Sequence, residues 1–317
     1  MQSDMRWGNV TALFHTFVIQ EAGLIRIRER IIQKLFLLVA LASILILALI
    51  VVFLFREGLP IFQQVSIKDF LFGKYWYPTY EPPEFGIFPL IAASIAVTLL
   101  SSLIAVPLGL LSAIYISEIA GIRVKEILKP IIELLASLPS VVIGFFGMVV
   151  VAPFLQEVFD IATGLNMVNA SVMLALMAVP TISSISEDAI HAVRRELREA
   201  SLALGATQWE TISRVVIPAS LSGICTATIL GMSRAIGETM VVLMVAGGAA
   251  AIPESIFDAC RPMPASIAAE MAEAPFRSDH YYALFATGIV LFFVTLGFNL
   301  IADYISHKYK QVGSGTL

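Results

Sequence analysis

The chain has 317 residues, of which 58% are hydrophobic and 14% charged, with a mean hydropathy of +0.87 and a formal net charge of −4. Soluble domains carry about 25% charged residues, so the composition indicates an integral membrane protein. Its acidic residues fall largely in loops (Glu81, Glu84, Glu254, Asp258, Glu270 and Glu273 among them), which gives nucleic acid no basic surface to bind.

Roughly six apolar stretches reach the ~20 residues that a helix needs to cross a bilayer. They lie near 35–55, 88–116, 132–155, 168–186, 220–250 and 283–305. The second and fifth exceed one membrane thickness, which calls for tilt, a kink or extension beyond the bilayer. Pro107 and Gly109 are the expected kink in the second. Helical spans of this kind exclude an outer-membrane barrel, whose strands alternate over about ten residues.

Basic residues set the expected orientation. Arg6, Arg26, Arg28, Arg30, Lys34, Arg123, Lys125, Lys129, Arg194, Arg195, Arg198, Arg214, Lys308 and Lys310 fall on one side, against Arg56, Lys68, Lys74, Arg261 and Arg277 on the other. Both termini are therefore expected in the cytoplasm of a multi-pass inner-membrane protein. Cys225 falls in a span and Cys260 in an outer loop, so no disulfide framework is expected.

Residues 1–34 form a cytoplasmic segment in which 9–30 suit an interfacial amphipathic helix or a frayed tail equally. The 35–55 stretch begins too late and runs too long for a cleaved signal peptide and is expected to be a retained anchor. Residues 56–87, with Trp76, Tyr77, Tyr80, Pro82 and Pro83, form an outer loop whose aromatics suit the membrane interface. The remaining spans, 88–306, form one unit, with a cytoplasmic loop at 187–218 and a cytoplasmic tail at 307–317.

Glu133–Gly144 breaks the third span with Pro139 and small residues, either opening backbone groups toward a cavity or kinking a packing helix. Glu199–Pro218 reads as a helix, a turn at Gly205 and a second short helix, with Ala200, Leu204, Trp209 and Ile212 available to a partner. In the fifth span, Arg234 and Glu238 are four residues apart, hence on one helical face and able to pair. Intramembrane charges normally face a cavity or a partner. The pair is either a packing bridge or an anion site in which Glu238 holds Arg234 until substrate arrives. Pro262–Ala274 is an outer segment with a short helix, either a partner contact or an ordinary re-entrant loop.

No GxxxxGK[ST], HExxH or GxSxG motif occurs, and His15, His191, His280 and His307 fall outside the spans. A self-contained ATPase, an intramembrane protease and a buried His-based metal centre are disfavoured. Any ATP must be hydrolysed by another subunit.

Glu199-Ala200, Gly205 six residues after the Glu, and Ile217-Pro218 resemble the coupling loop of ABC importer permeases, with Ser201 for the usual second Ala and Ile217 for the usual Leu. Together with Ile132–Ser140, Arg234–Met240 and Ser266–Ala274, the stretch from about Phe85 to Tyr304 resembles the PstC-type permease of phosphate-specific ABC importers. The resemblance implies an all-α, six-span permease of type I (MetI-like) architecture and no cofactor in this chain. It implies a second permease (PstA-type), a dimer of ATPase subunits (PstB-type) and a periplasmic phosphate-binding protein (PstS-type) as partners. Arg234, Glu238, Thr239 and Ser140 would line the substrate path, and Glu199, Ala200, Gly205, Ala206 and Trp209 would couple to the ATPase. The alternatives are a permease for tungstate, molybdate or sulfate, and an ATP-independent anion carrier, which has no use for a docking hairpin.

Overall fold

The computed structural model describes the backbone of residues 4–310 and the side chains of residues 29 and 31–305. The chain falls into two units, divided after Arg56. The first is occupied by α1 (Asp4–Gly58), one helix whose apolar run begins at Ile31. The side chains on which an interfacial role for 9–30 would rest lie outside the described residues.

In the second unit, a 3-10 turn (Leu59–Gln63) leads to α2 (Ile67–Phe72), which is capped by Ser66 Oγ accepting from Asp69 N at 3.0 Å. The strands β1 (Trp76–Tyr77) and β2 (Glu84–Phe85) pair antiparallel, Trp76 opposite Phe85. Helix α3 (Phe88–Ile114) contains Pro107 and ends in a π turn, Tyr115–Ile119. The amphipathic α4 (Ile122–Ser137) buries no residue. It stops at Leu138, which Pro139 holds extended (φ −62°, ψ 132°).

Then α5 (Ser140–Phe146), a π turn (Gly147–Val151) and α6 (Ala152–Phe159) make one apolar helix. The long α7 (Met167–His191) is followed by a short pair, α8 (Arg195–Ala203) and α9 (Gln208–Thr211). A π turn (Ile212–Val216) leads into α10 (Ile217–Ile236), and α11 (Met240–Val245), α12 (Met263–Glu270) and α13 (Asp279–Lys310) complete the chain.

Six helices among the described residues are long and apolar enough to cross a membrane: Ile31–Gln63, Phe88–Ile119, Ser140–Phe159, Met167–His191, Gln208–Ile236 and Asp279–Ile305. Some boundaries differ from the sequence reading. The first crossing helix runs on to Gln63 rather than ending at residue 55, and the fifth starts at Gln208 rather than at residue 220. The third crossing helix starts at Ser140, because residues 132–137 belong to α4 and Pro139 separates the two. The fifth ends at Ile236 rather than continuing to residue 250.

Helix α7 lies between α3 and α10, and small residues set how closely they approach. A Cβ at Gly109 of α3 would lie 2.8 Å from Ile182 Cγ2, and one at Gly231 of α10 would lie 2.6 Å from Ile182 Cγ1. Ile182 is thus wedged between two helices that lack side chains at the contact, and it is 1% exposed. Lipid tails compete equally well for an apolar surface, so this interlocking, rather than burial from water, holds the trio.

At the end of the bundle away from the α8–α9 hairpin, Glu270 closes α12 and gathers four partners. Arg261 Nη1 pairs with its Oε1, and Trp76 Nε1 donates to Oε2 at 3.0 Å. His280 Nε2 lies 2.8 Å from Oε2, and Ser266 Oγ lies 3.3 Å from Oε1. The carboxylate thereby ties β1, the 246–262 connection and the start of α13. Burial pushes the Glu270 carboxyl up, but hydrogen bonds from His280 and Trp76 and the charge of Arg261 outweigh it and hold it below its ordinary value of 4.5.

A depressed folded-state pKa means that this contribution is fully present above the ordinary value and is lost as pH falls through the lower one. Glu270→Gln should therefore cost about 1–3 kcal/mol near neutral pH. Thermal melts of wild type and variant in detergent should converge as pH drops below the ordinary carboxylate range. A gap that persists unchanged into that range would rule out the charge as its cause.

Candidate functional site

The expected Arg234–Glu238 pair depended on an unbroken helix, and the helix is broken between them. α10 ends at Ile236, and Gly237 (φ −91°, ψ −1°) lets Glu238 N turn back to Ala235 O at 3.3 Å. Glu238 Oε1 then accepts from Met240 N (3.1 Å) and Val241 N (3.4 Å), the first free amides of α11. A carboxylate there satisfies orphan donors and complements the positive end of the helix. Among the described residues, no ion pair joins Arg234 and Glu238.

Arg234 sits in the last turn of α10, about 25 Å along the helix from Ile217 at 1.5 Å per residue. Its polar partner among the described residues is Thr181 Oγ1 of α7, at 3.1 Å from Nη1. The guanidinium has five N–H donors in a planar fork, so most remain for a ligand, and its charge is not neutralised by a described carboxylate. The residue is exposed in this chain. Thr181 carried no signal in the sequence; its position beside Arg234 follows from the crossing of α7 and α10.

Thr239 is the half-buried N-cap residue of α11, its carbonyl accepting from Leu243 N at 3.0 Å. Ser140 opens α5, which packs on α11 so closely that a Cβ at Gly144 would lie 2.8 Å from Met244 Sδ. Ser140 is half-buried, and its hydroxyl bonds to no described residue. The break thus leaves Arg234 bonded to Thr181 of α7 and Glu238 and Thr239 at the start of α11, the helix on which α5 packs, and no described hydrogen bond joins Ser140 to any of the three.

The hairpin carries the other predicted residues. Gly205 takes φ +86°, the left-handed region that glycine enters without steric cost. A Cβ there would meet nothing within 4 Å, so the constraint is conformational. Thr207 and Glu210 form a reciprocal capping box at α9. Ala200, Leu204 (90% exposed) and Trp209 (63%) are exposed, and Ala206 is half-buried. Glu199 is exposed and pairs with Arg195 at 2.8 Å.

Ile212 corrects the expected docking set. It is 3% exposed and packs with Ala113, Ile114, Ile190 and Val216. Ile212 opens the π turn, and its burial in this cluster removes it from the face open to a partner.

Residues 105–311 match the family described as binding-protein-dependent transport system inner membrane component. The chain is 41% identical over 263 residues to a probable ABC transporter permease protein, YqgH, of Bacillus subtilis, covering 82% of this chain and 85% of that one. It is 35% identical over 257 residues to the phosphate transport system permease protein PstC of Mesorhizobium japonicum, covering 75% and 77%. It is 28% identical over 306 residues to PstC of Haemophilus influenzae, covering 89% and 94%.

Solved structures of ABC transporters share its fold, among them the following two. One is the inward-facing MetNI methionine ABC transporter, with TM-score 0.55, 19% identity and coverage of 68% of this chain and 93% of that one. The other is a bacterial alginate ABC transporter, with TM-score 0.58, 16% identity and coverage of 87% and 96%.

Because Arg234 and Glu238 act on different neighbours, their contributions to stability should add. Glu238→Ala removes the acceptor for two α11 amides and should cost about 1 kcal/mol, as loss of a helix cap does. In a thermal-melt cycle with Arg234→Ala, the double variant should show the sum within about 0.5 kcal/mol. A larger coupling would mean the two charges do meet.

Proposed function

Because this chain belongs to the family of binding-protein-dependent transport system inner membrane components, we propose that it is the PstC-type permease subunit of an ATP-driven importer of inorganic phosphate. The observation that carries an anionic substrate is Arg234, a cation in the fifth crossing helix whose polar partner among the described residues is a neutral hydroxyl. A planar fork with unused donors suits a tetrahedral oxyanion. The PstC relatives support phosphate over tungstate, molybdate or sulfate.

In this reading both termini and the α8–α9 hairpin face the cytoplasm, in line with the distribution of basic residues. Leu204 and Trp209 are exposed apolar side chains on a rigidly capped turn. They dock in a groove of an ATPase dimer (PstB-type), which binds and hydrolyses the ATP. A second permease (PstA-type) completes the translocation path. A periplasmic binding protein (PstS-type) delivers phosphate past acidic outer loops that repel a free anion. Closure of the ATPase dimer pushes the hairpin and rocks the helices between outward and inward access. Glu238 serves as the cap of α11 rather than as a counter-ion, which leaves Arg234 available throughout the cycle.

Phosphate uptake by vesicles holding the chain and its neighbouring subunits tests the reading, with arsenate, sulfate and molybdate as competitors. Each lost charge-assisted hydrogen bond is worth about 1.5–3 kcal/mol, so Arg234→Ala should lower uptake about 10- to 100-fold at matched expression. Arg234→Lys should retain part of it. Normal uptake by Arg234→Ala would refute the path through this residue, and equal competition by sulfate would refute phosphate as the importer's substrate.

Trp209→Ala should weaken ATPase binding by about 30-fold, the scale of a hot-spot aromatic, while leaving membrane insertion intact. Wild-type co-purification of the ATPase with this variant would count against docking at the hairpin.

A further inference from the structure

Helix α8 buries none of its residues, so apolar packing does not anchor it. Its hold on the membrane helices is polar and centres on Arg198. One guanidinium nitrogen, Nη2, pairs with Glu118 Oε1 at 3.0 Å and donates to Ile190 O at 2.7 Å. Glu118 lies in the π turn that ends the α3 helix, and Ile190 lies in the last turn of α7. The Glu118 side chain is 10% exposed and that of Arg198 23%. Gln208 Nε2 donates to Glu118 O at 3.3 Å, and the Ser201 and Thr211 hydroxyls, 2.9 Å apart, close α8 onto α9.

We propose that Arg198 and Glu118 are positioning residues for transport, forming the strut through which hairpin displacement moves α3 and α7. This rests on the reading of the hairpin as the ATPase-docking element. Apolar contacts such as Ile212 on Ile114 are non-directional and slide. A charge pair with little access to water is short and directional, and separating it strands each charge where solvation is poor. Because the same nitrogen holds Glu118 and the Ile190 carbonyl, α8 cannot shift without drawing on both central helices. These two helices already interlock through Gly109 and Ile182. The pair touches neither the anion nor the exposed docking face, so its effect is on coupling rather than on binding.

The test uses the full chain assembled with its second permease, ATPase and binding protein in proteoliposomes. Bound ATPase, phosphate uptake and ATP hydrolysis with and without phosphate-loaded binding protein are measured together. Arg198→Ala and Glu118→Gln should each retain the ATPase at wild-type yield. Both should lower uptake and the stimulation of hydrolysis by loaded binding protein about tenfold. The double variant should be no worse than the poorer single one, because the two residues act as a unit.

Glu118→Gln preserves shape and an acceptor, and ATPase retention reports a folded hairpin, so a fall in uptake at full ATPase occupancy isolates coupling. The strut is overturned if both single variants transport normally, if their effects multiply, or if ATPase is lost in step with uptake. A wild-type assembly that binds no ATPase would instead overturn the importer reading beneath it.

Discussion

The break at Gly237–Thr239 governs the end of the bundle where the anion site is proposed. A continuous helix would place Arg234 and Glu238 one turn apart, and two opposite charges in an apolar setting would pair. By stopping α10 at Ile236, the chain gives Glu238 a different task, capping the amides of Met240 and Val241. That cap starts α11, whose Val241, Val242 and Val245 enter the main core beside Met173 and Leu174. The chain can then turn at Gly247 (φ +89°), where a Cβ would lie 2.5 Å from Leu165 O, and lead on toward α12. Folding back of α11 and release of Arg234 are two consequences of one backbone choice.

The two ends of the bundle and its middle are held by different physics, and the difference matters for motion. The middle relies on close approach of helices lacking side chains at Gly109 and Gly231. Such contacts are intolerant of added volume but impose no direction. The Glu270 end relies on one largely buried carboxylate that joins its own helix to Trp76, Arg261 and His280 in three other segments, an arrangement that resists relative movement. The hairpin end combines an apolar socket around Ile190 and Ile212 with the Arg198 clip. A bundle fixed at one end, interlocked centrally and clipped at the other can transmit a push along its long axis.

Much of this was legible in the sequence because hydropathy reports helices directly. The six crossing helices, the Gly205 turn and the exposure of Leu204 and Trp209 follow from apolar run length and from the conformational preference of glycine. The start of the third span and the end of the fifth differ from the sequence reading for a common cause. Residues 127–138 and 240–246 are apolar enough to prolong a span, so hydropathy hides the breaks at Pro139 and Gly237. Reading Arg234 and Glu238 as a pair then followed from helical periodicity applied across a break. Gly237 followed by Glu238 and Thr239 was the available signal, a helix stop and a helix start in three residues. The Thr181, Arg198 and Glu118 contacts join residues distant in the chain, and no local pattern encodes them.

The lone position of Arg234 also bears on how selectivity can be divided in the proposed importer. A single guanidinium attracts any tetrahedral oxyanion, because charge and fork geometry are shared by phosphate, sulfate and molybdate. Strong discrimination requires a site whose buried polar groups are left unpaired by the wrong ligand. Here the described surroundings of Arg234 are a threonine hydroxyl, half-buried residues and an exposed face, which do not form such a closed site. A path that binds its cargo weakly releases it quickly, which favours transport over retention. In the proposed importer, selection is then assigned upstream, to the binding protein. The task left in that importer to Arg234 is the simpler one of making an apolar passage passable to an anion.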